Sequence, residues 1–118
     1  MVVGALPIPS WPLLLTTTGR SSGEPRTVPL IYAQDGERYV IVASKGGAPD
    51  DPGWYRNLQK TPVVTLQVRD DVFRARADTA EGDERERLWR AANTVWPHYD
   101  EYALRTDRQI PVVVLERV

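Results

Sequence analysis

Leucine and threonine alone fill positions 13–18, an apolar-to-polar run that predicts a short strand, and Gly19 to Gly23 breaks it. Thr27–Gln34 and Arg38–Ser44 predict the next two strands, joined at Asp35-Gly36, a pair that tolerates the positive φ of a two-residue hairpin turn. In the later strand Tyr39, Ile41 and Ala43 share one face and Val40, Val42 and Ser44 the other, so both faces are expected to be covered. Pro52–Lys60 predicts a helix capped by Asp51, with Trp54, Tyr55 and Leu58 inward and Pro62 beyond its end. Val63–Val68 and Val72–Thr79 predict a second hairpin turning at Asp70 and Asp71. Its later strand sets Val72, Arg74, Arg76 and Asp78 against Phe73, Ala75 and Ala77, which makes one face wet. Asp83–Trp96 reads as an amphipathic helix with Leu88, Ala91, Ala92 and Val95 inward, closed by Pro97. A short helical piece then carries Tyr99 and Tyr102, and Ile110–Glu116 is the last strand. Before all of these, Met1–Pro12 holds Pro7, Pro9 and Pro12, which favour an extended arm over regular pairing.

Six strands, four of them in two tight hairpins, with one helix in the middle and one before the last strand, predict a mainly β (α+β) fold. The expected architecture is an antiparallel barrel-like sheet with flanking helices. At 118 residues the chain is expected to form a proline-rich arm over 1–12 and one domain over 13–118. A formal charge of −1 argues against a general nucleic-acid binder. The absence of cysteine, with His98 as the single histidine, leaves no thiol nucleophile and argues against a metal site. No apolar run approaches a membrane span and no leader pattern opens the chain, so a cytoplasmic protein is expected.

Two loops carry the candidate chemistry. The first offers Arg20, Ser21, Ser22 and Arg26; the second offers Ser44, Lys45 and the amides of Gly46 and Gly47. Adjacent glycines let consecutive N–H groups turn toward one anion, with a lysine beside them for charge. The alternative for Lys45-Gly46-Gly47 is a loop that needs glycine only for its own turning. Gly19-Arg20-Ser21-Ser22-Gly23 also matches the G-x-S-x-G pattern of serine hydrolases, but that elbow needs a following helix and a histidine base, and here a strand follows. Neither loop fits the P-loop or dinucleotide patterns. Tyr55 and Asn57 lie on the helix after the second loop. Trp96, Tyr99 and Tyr102 recur every third residue, either as a core stripe or as a wall over a flat ring with phenols as donors. His98 reads as a surface residue, and Asp83, Glu84 and Glu86 as a solvated helix start.

Leu15–Arg20, Gly23–Arg26 with Pro29-Leu30, Ala43–Pro49, Trp54–Leu58 and Thr106–Pro111, in this order and spacing, resemble the deazaflavin-dependent nitroreductase family. The resemblance runs from about Leu13 to the C-terminus. It implies a six-stranded split β-barrel of the flavin-reductase type that binds coenzyme F420, a deazaflavin with a phosphate and an oligoglutamate tail. Members resemble reductases that pass hydride from the reduced deazaflavin to a small nitro, quinone or enone acceptor. By position, Arg20, Ser22, Gly23, Arg26, Lys45, Gly46 and Gly47 would serve the phosphate and tail, with Ser21 and Ser44 beside them. Tyr55 and Asn57 would lie near the ring or its side chain. Trp96, Tyr99 and Tyr102 would line the acceptor side, with Tyr102 or Tyr99 supplying the proton or hydrogen bond. Ser21 stands where the family often has lysine, and Trp96 where some relatives have tyrosine. Alternatives are an FMN-binding split-barrel reductase and a non-catalytic cofactor- or lipid-binding barrel. A homodimer is expected by analogy with split barrels.

Overall fold

The computed structural model describes residues 11–118. All but Trp11 and Pro12 of the expected proline-rich arm therefore lie outside the described residues. The elements run β1 (Leu13–Thr18), β2 (Pro25–Leu30), β3 (Ala33–Asp35), β4 (Arg38–Val42), a single 3₁₀ turn (Lys45–Gly47), α1 (Gly53–Lys60), β5 (Val63–Val68), β6 (Asp71–Thr79), α2 (Gly82–Val95), α3 (His98–Ala103) and β7 (Val112–Arg117). All strands join one sheet in the order β2-β1-β5-β6-β7-β4-β3, and every neighbouring pair is antiparallel. Among the described residues no helix is long and apolar enough to cross a membrane.

The strand count is seven, not six, because the expected strand Thr27–Gln34 is two strands broken at Ile31-Tyr32. β2 pairs with β1 at one edge of the sheet, whereas β3 pairs with β4 at the other. Three Cα steps from Leu30 to Ala33 reach at most about 11 Å. Crossing six strand spacings of a flat sheet would take roughly 29 Å. The sheet must therefore curl until its edges approach, and the break is the seam. Packing agrees with this: Leu13 and Leu15 of β1, Leu66 of β5, Ala75 of β6, Leu115 of β7 and Ile41 of β4 share one buried cluster with Tyr55 and Leu58 of α1.

On the outer face, Val40, Val112 and Val114 meet Leu88 and Val95 of α2. This is why β4 reads apolar on both sides. β6 alternates as expected, with Phe73, Ala75 and Ala77 buried and Val72, Arg74, Arg76 and Asp78 exposed. Both hairpin turns sit one residue later or earlier than expected. The register pairs Asp35 with Arg38, so Gly36 and Glu37 form the first turn, with Gly36 at φ 62°. In the second, Val68 pairs with Asp71, leaving Arg69 and Asp70 to turn, while the Asp71 carboxylate accepts from Arg117 at 2.7 Å. Asp51 does not cap α1: Pro52 occupies the cap position without a side-chain hydrogen bond, and the Asp51 carboxylate is drawn to Arg108 at 2.8 Å.

α2 is fastened to the β3–β4 hairpin through Asp35, whose carboxylate accepts from Arg87 at 2.8 and 3.3 Å and from Arg38. Arg38 also reaches Glu84 at 3.3 Å. Hydrogen bonds from Arg87 and then Arg38 hold the Asp35 pKa at about 2, below its ordinary 3.8. A carboxylate lowered in this way stabilises the fold above its unfolded pKa, and the contribution is lost as pH falls through the folded value. Asp35→Asn is expected to destabilise by about 1 kcal/mol at pH 7, the size of a partly exposed ion-pair network. Urea midpoints of variant and parent should converge as pH falls from 3.8 to about 2; a gap that stays constant through that window would refute the ion-pair account.

Candidate active-site cleft

β4 ends at Val42, and the Ala43 N–H still donates to Pro111 O at 2.9 Å before the chain leaves the sheet. Lys45, Gly46 and Gly47 then take φ of 47°, 63° and 84°, three left-handed residues in succession. Only glycine adopts such angles at little cost, so a lysine here must be held from outside. The two glycines have different reasons to be glycine. A Cβ on Gly47 would lie 2.8 Å from Tyr102 O and 2.9 Å from the Arg105 Cβ, so Gly47 lets α3 seat on the loop. Its N–H is already given to Ser44 O at 2.9 Å, and it supplies no amide to an anion cradle. A Cβ on Gly46 would meet nothing within 4 Å, because Gly46 faces open space.

That space is a cleft of about 390 Å³. Pro29, Leu30 and Ile31 at the seam and Val42 form its apolar side; Ser44, Lys45 and Gly46 form a second side; Trp54, Trp96, Tyr99 and Tyr102 complete it. The Lys45 loop and the aromatic series therefore share one cavity. Lys45 is about half exposed, and its ammonium donates to Asp50 at 3.1 Å, a hydrogen bond that lowers the Asp50 pKa. Tyr99 and Tyr102 have ring centroids 6.2 Å apart, and the Trp96 indole N–H points to the Tyr102 hydroxyl at 3.4 Å. Burial, with Tyr102 adding to it, pushes the Tyr99 phenol up to about 12. Tyr99 thus stays a protonated donor across ordinary pH. His98 does not line the cleft; it stands about half exposed, with Nδ1 3.0 Å from Glu101.

The first loop forms a separate pocket of about 160 Å³, lined by Gly19, Arg20, Ser21, Ser22, Arg26 and Asn57. Buried Asn57 builds it: its Oδ1 accepts from the Arg20 N–H at 3.1 Å and from Arg20 Nη1 at 2.9 Å, and its Nδ2 donates to Thr17 at 3.0 Å. Lys60 donates to Arg20 O at 2.8 Å, and Arg20 Nη1 reaches Gly53 O at 3.3 Å. Gly53 opens α1, while Pro52 and Trp54 beside it line the cleft, so the N-terminal end of α1 stands between the two cavities. Gly23 turns this loop at φ 74° and lines neither cavity. The structure does not bring Tyr55 to either: it is in the core, with its hydroxyl 2.8 Å from that of Thr79. An aromatic on the inner side of α1 faces the barrel, which takes Tyr55 away from the loop it follows in sequence.

Two residues that hold the site lie outside the expected candidate set. Asp100 fixes α3 to α2, accepting from the Trp89 indole at 2.7 Å and from Asn93 at 2.8 Å. Arg108 donates to Ala48 O, Asp51, Ser44 O and Ala43 O at 2.9, 2.8, 2.8 and 3.2 Å. Arg108 lies in the stretch Thr106–Pro111 that carries part of the family resemblance, which marks the residue but not its partners 57 to 65 positions away.

A profile of the F420H(2)-dependent quinone reductase family matches residues 2–117. Among curated relatives, an F420H(2)-dependent quinone reductase of Mycobacterium tuberculosis (strain H37Rv) is 46% identical over 108 residues, which cover 89% of this chain and 72% of the relative. A solved structure described as an F420-H2 dependent reductase, FDR-A, is 43% identical with a TM-score of 0.84, over 98% of this chain and 100% of the other. Another, described as a domain-swapped dimer, is 43% identical with a TM-score of 0.84, over 97% of this chain and 84% of its own.

The two glycines of the loop give a paired test. Gly46→Ala is expected to cost about 1 kcal/mol for the left-handed backbone alone, and Gly47→Ala a further 1–3 kcal/mol for the clash with α3. Urea unfolding of both variants measures the difference. Equal costs would show that α3 does not depend on Gly47 for its seat.

Proposed function

The chain belongs to the F420H(2)-dependent quinone reductase family, and on that premise we propose that it passes hydride from reduced F420 to a quinone held in the cleft against Trp96 and Tyr102. It is an oxidoreductase, and its cofactor is coenzyme F420. The observation that carries the proposal is the shared cavity: a lysine and a glycine with open space before it on one side, and two tyrosines and two tryptophans on the other. An apolar, aromatic cleft beside a lysine-bearing loop suits a planar ring with an anionic extension. The Arg20 pocket, across the start of α1, has the donors to receive an acidic tail, with Arg20, Ser21, Ser22 and Arg26 in its lining.

Bound reduced F420 supplies the hydride, and the protein supplies binding, orientation and a proton. In this reading Lys45 and Ser44 hold the phosphate, and Arg20 and Arg26 hold the tail. Leu30, Ile31 and Val42 keep water from the flat ring. The quinone oxygen that gains negative charge as hydride arrives takes a hydrogen bond from a phenol, Tyr102 or Tyr99. Both phenols line the cavity, which places either one to donate there. Residues 13–118 form, on this proposal, one split-barrel domain of the flavin-reductase type. The domain-swapped dimer described for a 43%-identical structure supports a homodimer.

Lys45→Ala is expected to raise the Kd for F420 about tenfold, the loss of one charge-assisted contact, while kcat at saturating F420H2 changes far less. Fluorescence titration with F420 measures the first, and unchanged affinity would remove Lys45 from the phosphate seat. Tyr102→Phe, assayed with a panel of quinones, nitroaromatics and enones, is expected to lower kcat roughly 10- to 100-fold while F420 affinity holds. Tight F420 binding without oxidation of F420H2 by any of the panel would favour a non-catalytic binding protein instead.

A further inference from the structure

Arg108 does not line the cleft, yet its side chain is only 15% exposed and its guanidinium is committed to the loop that does. Nε donates to Ala48 O, Nη1 to Asp51, and Nη2 to Ser44 O and Ala43 O. These acceptors bracket Lys45, Gly46 and Gly47, the three left-handed residues. Three of the four are backbone carbonyls, so the grip is mainly on the path of the chain, with the Asp51 carboxylate as its one side-chain acceptor. A planar five-donor fork is suited to such divergent acceptors, whereas the donors of a lysine radiate from one nitrogen. Arg108 also begins the approach to β7, so the same residue ties the Lys45 loop to the chain segment that follows the aromatic wall.

We infer that Arg108 is a positioning residue for the cofactor: by gripping Ala43, Ser44, Ala48 and Asp51 from behind, it holds Lys45 and Gly46 facing the cleft and so sets affinity for F420 without touching it. The inference rests on the reading of the Lys45 loop as the cofactor's phosphate seat. Loss of the grip releases a backbone that lysine adopts reluctantly, and the ammonium then no longer meets the anion at a fixed place.

The test uses the full chain and four variants: Arg108→Lys, Lys45→Ala, the double variant, and Asp35→Asn as a stability control outside the cleft lining. In Arg108→Lys, the Kd for F420 by fluorescence titration and the KM for F420H2 should rise about tenfold, while saturated kcat falls less than about threefold, the pattern of misplaced binding groups. Lys45→Ala should cost much less in the Arg108→Lys background than alone, because the lysine is already misplaced. Asp35→Asn should lower the unfolding midpoint and leave the Kd unchanged. Should Arg108→Lys fail to fold, Asp51→Asn removes the charged acceptor of the four and should give a smaller rise in Kd. A folded Arg108→Lys with native affinity, or a full-sized Lys45→Ala effect in the double variant, would overturn the inference. If Lys45→Ala alone leaves affinity unchanged, the phosphate-seat reading itself fails, and the inference with it.

Discussion

The short crossing at Ile31-Tyr32 constrains everything else. Two residues must carry the chain from β2 at one edge of the sheet to β3 at the other. Hydrogen-bonded strands keep a fixed spacing, so only curvature brings the edges within reach. The curl then gathers side chains from most of the strands into one apolar cluster that α1 plugs. It also leaves Pro29, Leu30 and Ile31 at the seam, where they become the apolar side of the cleft. The cleft exists where the barrel fails to close.

Around that seam the polar groups are held by other side chains, from buried Asn57 through partly buried Arg108 to exposed Asp100. Asn57 fixes the backbone and guanidinium of Arg20, Arg108 fixes the backbone around Lys45, and Asp100 fixes α3 with its tyrosines. The supporting groups sit on α1, α3 and the approach to β7, while the groups they support face the cavities. Preorganisation of this kind removes ordering costs at the moment of binding. It suits a protein whose reaction chemistry resides in a bound cofactor and whose own task is placement.

How much of this was legible follows from the range of each interaction. The strands and helices could be read because alternation and helical periodicity are local, and β1 and β5 fall on the expected residues. The turns shifted by a residue because Asp-Gly and Asp-Asp mark a turn without fixing register; the ladder does that, pairing Asp35 with Arg38 and Val68 with Asp71. Asp51 had the chemistry of a helix cap, and a distant guanidinium outcompeted the helix start for it. Tyr55 sat beside the candidate loop in sequence and faced the core in space.

By itself the sequence determined most of the secondary structure, the antiparallel class and, through motifs in their order and spacing, the family, and it pointed to two loops as candidates. Each is carried by residues close in the chain or by a pattern that spans it. The tertiary structure decided which loops meet. It joined Lys45 to Trp96, Tyr99 and Tyr102 in one cleft, put Arg20 and Arg26 in another pocket, split one expected strand into two, and gave Arg108 its partners. Those outcomes depend on contacts between residues tens of positions apart, and only the closing of the sheet brings such residues together.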